Sequence, residues 1–142
     1  MSAAAQIEAT LGLLAERNVE LRHGLYERFF ARFPARREAF LCPEATSVRM
    51  TDETLQLLYG LATGEGWVWP LVAELVGTHR AYGALPLREY DAFVDMVIEE
   101  LEAALGQEFT HEQHAAWLAQ ARALKAMIAK AQAEWDLVLP QA

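Results

Sequence analysis

The sequence predicts an all-α fold of six or seven helices. Three observations predict it. Apolar residues recur at intervals of three and four along most of the chain. No stretch alternates apolar and polar residues with β-branched enrichment. Breaks at Pro34, Pro43, Gly64-Glu65-Gly66 and Gly83 to Leu85 separate the periodic segments.

The first helix is expected over about Ala4 to Glu16, with Ile7, Leu11, Leu13 and Leu14 on one side. Asn18 can cap a second helix through its side-chain oxygen. That helix runs to about Phe33, with Leu21, Leu25, Phe29 and Phe33 four apart. Pro34 then ends it, or opens a short tight turn that includes Phe40. Leu41 to Thr46 read as a loop because Pro43 interrupts them. A third helix is expected over about Ser47 to Thr63, with Val48, Leu55, Leu58 and Leu61 on its apolar face. The next, about Trp67 to Tyr82, carries Leu71, Leu75 and His79 four apart, so they share a face. Pro86 suits the first turn of a helix reaching about Leu105, with Tyr90, Phe93, Val97 and Leu101 in line. Thr110 and Gln113 read as a capping box for the last helix. That helix carries Trp117, Ala121, Leu124 and Ile128 and ends before Pro140.

A chain of 142 residues fits one domain, 1–142, and can bury a core without staples. Hydrophobic residues make up 54 %, which excludes a disordered class. The net charge of −8 repels phosphate backbones and anionic lipid, so neither nucleic acid nor membrane is an expected partner. The single cysteine, Cys42, excludes an intrachain disulfide framework and points to a reducing cytoplasm. The N-terminus has no signal-like region, and no apolar run approaches the ~20 residues of a membrane span.

Several catalytic classes lack their residues. Ser2 and Ser47 are the only serines, and neither is flanked by glycines. Gly64 and Gly66 lack the lysine and spacing of a phosphate loop. His111 and His114 could pair on a metal, but they sit in a polar first turn and read as solvated. His23 reads as a wall or surface residue. His79 stands apart. It ends an apolar segment just before a Gly/Pro break, where an imidazole can face a buried metal or cofactor. Taken alone, it is a packed histidine more often than a ligand.

The joint spacing changes that assessment. Leu25-Tyr26-Glu27-Arg28-Phe29-Phe30-Ala31-Arg32-Phe33-Pro34 is followed by Phe40, fourteen positions after Tyr26. His79-Arg80-Ala81-Tyr82-Gly83 precedes Pro86, with Pro70 nine residues before His79. Tyr90, Trp117 and Glu134 lie on the last two helices. In order and spacing the chain resembles a globin, most closely the bacterial single-domain and flavohaemoglobin-type globins. The resemblance covers essentially the whole chain.

The resemblance implies a globin fold around one haem b. His79 would be the axial iron ligand, and Phe40 would stack on the macrocycle. Tyr26 would aim its hydroxyl at a diatomic ligand (O₂, NO or CO). Tyr90 and Glu134 would form a proximal hydrogen-bonded network with the imidazole. The alternative is that Tyr90 packs and Glu134 is a surface residue. Tyr82 joins the expected cofactor-binding set. The family's distal position on the third helix often holds histidine or glutamine. Here counting back from His79 reaches Ser47, and counting forward from Phe40 reaches Met50. In either register Thr51, Thr54, Leu55 and Leu58 are candidates for the distal wall.

The implied function is reversible binding of O₂ or another diatomic, for oxygen transport or for nitric oxide detoxification. No reductase domain is recognised, so turnover of the dioxygenase or peroxidase kind would need an external reductase. The expected assembly is a monomer or a homodimer. Two rivals stand beside it: a globin-type sensor acting through protein contacts, and a cofactor-free helical interaction module.

Overall fold

The computed structural model describes residues 1–82 and 85–139, without the side chain of Tyr82. Among the described residues there are six α-helices, three short 3₁₀ helices and no strand. The all-α fold of six to seven helices is therefore as expected.

Helix α1 (Ala3–Glu16) starts on Ser2, whose hydroxyl accepts from the Ala5 N–H at 3.1 Å. It buries Ile7, Thr10 and Leu14. Asn18 does not cap the second helix. It takes a left-handed conformation (φ 54°) and closes the first. The Val19 N–H donates to the Leu14 carbonyl at 2.9 Å, and the Asn18 N–H donates to the Ala15 carbonyl at 3.2 Å. This double bond is a Schellman closure, and asparagine tolerates the left-handed region it requires. Helix α2 (Arg22–Arg32) consequently begins four residues later than the asparagine, burying Leu25, Tyr26, Phe29 and Phe30.

A 3₁₀ helix, Pro34–Ala39, ends at Phe40. The loop expected over Leu41 to Thr46 is mostly helix instead. Pro43 opens α3 (Pro43–Thr63), because a first-turn residue needs no N–H partner. The buried side of α3 also differs from the expected one. Val48 is exposed and Leu55 and Leu61 are half-buried, while Thr51, Thr54, Leu57 and Leu58 are buried. Thr54 can be buried because its hydroxyl donates to the Met50 carbonyl at 2.7 Å. Gly64, in the left-handed region at φ 71°, ends the helix.

Helix α4 (Val68–His79) buries Val68, Val72 and Val76. Leu71, Leu75 and His79 form the adjacent, half-buried face. A 3₁₀ turn, Arg80–Tyr82, follows. Pro86 caps α5 (Leu87–Leu105), which buries Tyr90, Val94, Val97, Ile98 and Leu101. After a 3₁₀ turn at Gly106–Glu108, Thr110 and Gln113 form the expected capping box of α6 (His111–Val138). Trp117, Ala121, Leu124 and Ile128 are all buried.

Helix α6 is the spine of the molecule, packing against α1, α3, α4 and α5, while α2 crosses α3 and α5. Close approaches at glycines help set the spacing. Gly24 lets α2 reach the Glu100 carboxylate on α5, and Gly77 lets α4 reach the Trp135 indole on α6. The Trp135 N–H donates to the Ala73 carbonyl at 2.8 Å, which fixes that ring. Among the described residues no helix is long and apolar enough to cross a membrane.

Candidate functional site

The last residue of α4 carries the most defined geometry. His79 Nδ1 lies 2.7 Å from the Leu75 carbonyl oxygen. A carbonyl only accepts, so Nδ1 carries a proton, and in the neutral ring Nε2 holds the lone pair. The helix itself thus orients the ring, one turn back from where the side chain starts. The ring packs edge-on against Tyr90, with centroids 5.7 Å apart.

Tyr90 is buried at 8 % exposure. Burial pushes its phenol up to about 12, and the nearby positive charge of Arg80 works the other way. It lines a cavity of about 300 Å³ together with Val76, Arg80, Leu85, Gln132 and Asp136. Glu134, the expected network partner, is exposed and does not line that cavity. The reason is helical period. Positions 132 and 134 are two residues apart and point roughly 200° from one another. Gln132 continues the stripe of Leu124 and Ile128, so it faces Tyr90. Its amide N–H donates to the Leu85 carbonyl at 2.8 Å. Arg80 is held by Asp136 at 2.8 Å and by the Leu139 carbonyl. The Tyr82 side chain lies outside the described residues.

Further along the same face of α5, Tyr26 sits in a cage of aromatic rings. Phe40 is 5.5 Å away, and Phe30 and Phe93 are each 5.6 Å away. Burial raises the Tyr26 phenol well above its ordinary value. Among the described residues its hydroxyl has no hydrogen-bond partner. The cage follows from local sequence: Tyr26 and Phe30 are one helical turn apart, and the 3₁₀ turn after Pro34 brings Phe40 back onto them.

Of the two distal candidates on α3, Ser47 donates to the Glu44 carbonyl at 3.0 Å within the first turn. Met50 packs against the core cluster. Thr51 and Leu55 continue the face of Ser47, turned away from Met50. They line a cavity of about 290 Å³ shared with Leu11, Leu14 and Arg22, on the α1 side of the helix. The Thr51 hydroxyl is buried there with no partner among the described residues.

The structure therefore brings the candidates together in two groups joined by α5. Tyr26 meets Phe93, His79 meets Tyr90, and Tyr90 and Phe93 are three residues apart on one helix face. Sequence reasoning placed Phe93 only in the core stripe and missed Gln132. The signal for Gln132 was available in the spacing of Leu124 and Ile128. Among the described residues no three His, Cys, Asp or Glu side chains converge on one point.

No family model matches this chain, and no curated protein matches it.

Proposed function

We propose that the chain is a globin that binds one haem b through His79 and carries a diatomic ligand. The observation that carries this reading is the His79 imidazole. Its proton is committed to Leu75, and its remaining lone pair lies on a half-buried apolar face with Leu71 and Leu75. A neutral imidazole held in one tautomer is the donor that iron takes. A histidine around which, among the described residues, no group of His, Cys, Asp and Glu converges suits a metal that arrives with other ligands of its own, as iron in a porphyrin does.

When bound, the haem supplies the iron at which a diatomic molecule is held. The chain's residues do the rest. Leu75 fixes the ring of His79, and Tyr90 buttresses it. Leu71 and Leu75 offer apolar contact and exclude water. Tyr26 keeps a protonated phenol inside an aromatic cage, ready to donate a hydrogen bond to a polar diatomic such as O₂. The His79 N–H is taken by the neutral Leu75 carbonyl, where a carboxylate would make the ring more electron-donating, which favours carriage over turnover. Any dioxygenase or peroxidase cycle would draw electrons from an external reductase. The lone, exposed Cys42 supports a reducing cytoplasm as the setting.

One observation favours a second reading, a cofactor-free helical interaction module. Neither described cavity is lined by His79 or Tyr26. Hemin titration separates the two. The globin reading expects a Soret band at one hemin per chain that His79→Ala abolishes. A colourless protein indifferent to added hemin would end it.

A further inference from the structure

One buried charge plays no part in that reading. Glu89, at 4 % exposure, takes both hydrogen bonds of a bidentate fork from Arg36: Nε to Oε1 at 2.6 Å and Nη2 to Oε2 at 2.8 Å. The two residues are 53 positions apart. Two parallel bonds between planar groups fix orientation as well as distance.

What each partner carries gives the pair its meaning. Arg36 lies in the 3₁₀ helix Pro34–Ala39, which buries no residue of its own. Burial therefore does little to place this turn on the protein. Besides the fork, Arg37 stacks over the Phe30 ring at 4.7 Å. The turn leads directly into Phe40, which closes the cage on Tyr26 and Phe30. Glu89 lies in the first turn of α5 and directly precedes Tyr90, whose ring abuts His79.

We infer that Arg36 and Glu89 are a positioning pair that sets Phe40 on one side of the site and Tyr90 on the other, so that the two sides move together. The functional weight of this pair rests on the haem reading; the mechanical link does not. Removing the carboxylate's charge frees the 3₁₀ turn and relaxes the start of α5, and both aromatic rings shift.

The link is tested first in the full chain without hemin, by ring-proton NMR of labelled phenylalanine and tyrosine. In Glu89→Gln with native helix content, the Phe40 and Tyr90 signals should both move while Phe109, capping the remote turn before α6, stays. The charge swap Arg36→Glu with Glu89→Arg should return both part-way. Should Glu89→Gln fail to fold, Arg36→Lys serves, since it keeps the charge and loses the fork. Unmoved rings, or movement of only one, would overturn the inference, because a merely structural pair lowers stability without displacing both. Hemin is then added. Wild type that takes none sinks the haem reading alone. Wild type that loads should lose hemin several-fold more slowly than the variant, with a shifted C–O stretch in the CO form. Equal hemin loss and an equal stretch would strip the pair of its functional role.

Discussion

A Cβ placed on Gly77 would sit 2.7 Å from the indole of Trp135. The ring cannot easily yield, because its N–H is bonded to the Ala73 carbonyl one turn earlier on the same helix. Gly77→Ala should therefore destabilise the protein. Overpacking costs about 1–3 kcal/mol, against roughly 1 kcal/mol gained from alanine's better helix propensity. A net loss of about 1 kcal/mol in urea denaturation is expected. A gain in stability would show that α4 and α6 can separate freely.

Tyr26→Phe should split two readouts. The hydroxyl has no described partner, so the hemin-free protein should change stability by less than about 0.5 kcal/mol. The reduced, hemin-loaded protein should release O₂ about tenfold faster, the effect of losing one hydrogen bond of ~1.4 kcal/mol. Stopped-flow displacement by CO measures the rate. An unchanged rate removes Tyr26 from the ligand's side.

Much of the helical order was legible, because six strongly periodic segments need no tertiary information. The ends were less so. Asn18 serves equally well to open a helix or to close one, and only the two backbone bonds to Leu14 and Ala15 decide. Pro43 reads as a breaker unless it is the first residue of the helix, where its missing N–H costs nothing. The site was half legible. His79, Tyr26, Phe40 and Tyr90 stood out by spacing. Glu134 came from the resemblance, with a surface position as its alternative, whereas the face of α6 that lines the cavity with Tyr90 carries Gln132. On α3, Thr51 and Leu55 looked distal by number but turn toward α1, since which face a long helix shows its neighbours depends on packing.

Alkaline unfolding should follow the buried tyrosines. The Tyr90 phenol rises from 10.0 to about 12 on folding. Between those values the unfolded chain has released the proton and the folded one still holds it. Stability is then full below about pH 10 and falls as pH rises toward 12, by roughly 2 kcal/mol for this group. Tyr26 shifts in the same direction and extends the loss upward. Tyr90→Phe should make the decline shallower in this window, read by helical circular dichroism against pH. An identical slope would mean the phenol ionises in place without opposing the fold.

The cap of α6 offers a cleaner measure of local stability. Thr110→Ala removes the acceptor of the Gln113 N–H at 3.1 Å and half of the capping box. A loss of about 1 kcal/mol is expected, with the amides of the first turn exchanging faster. Protection unchanged there would assign the helix start to packing of Phe109 and Trp117.

The amide of Gln132 has a consequence for the span of conditions the molecule can endure. It ties α6 to Leu85, at the entrance of α5, with a group that neither gains nor loses a proton. Acid that dissolves the carboxylate pairs on the exterior leaves this tie alone, as does base short of tyrosine ionisation. That strut of the cavity beside Tyr90 is in this sense insulated, while the wall facing it is braced by charge, through Arg80 and Asp136.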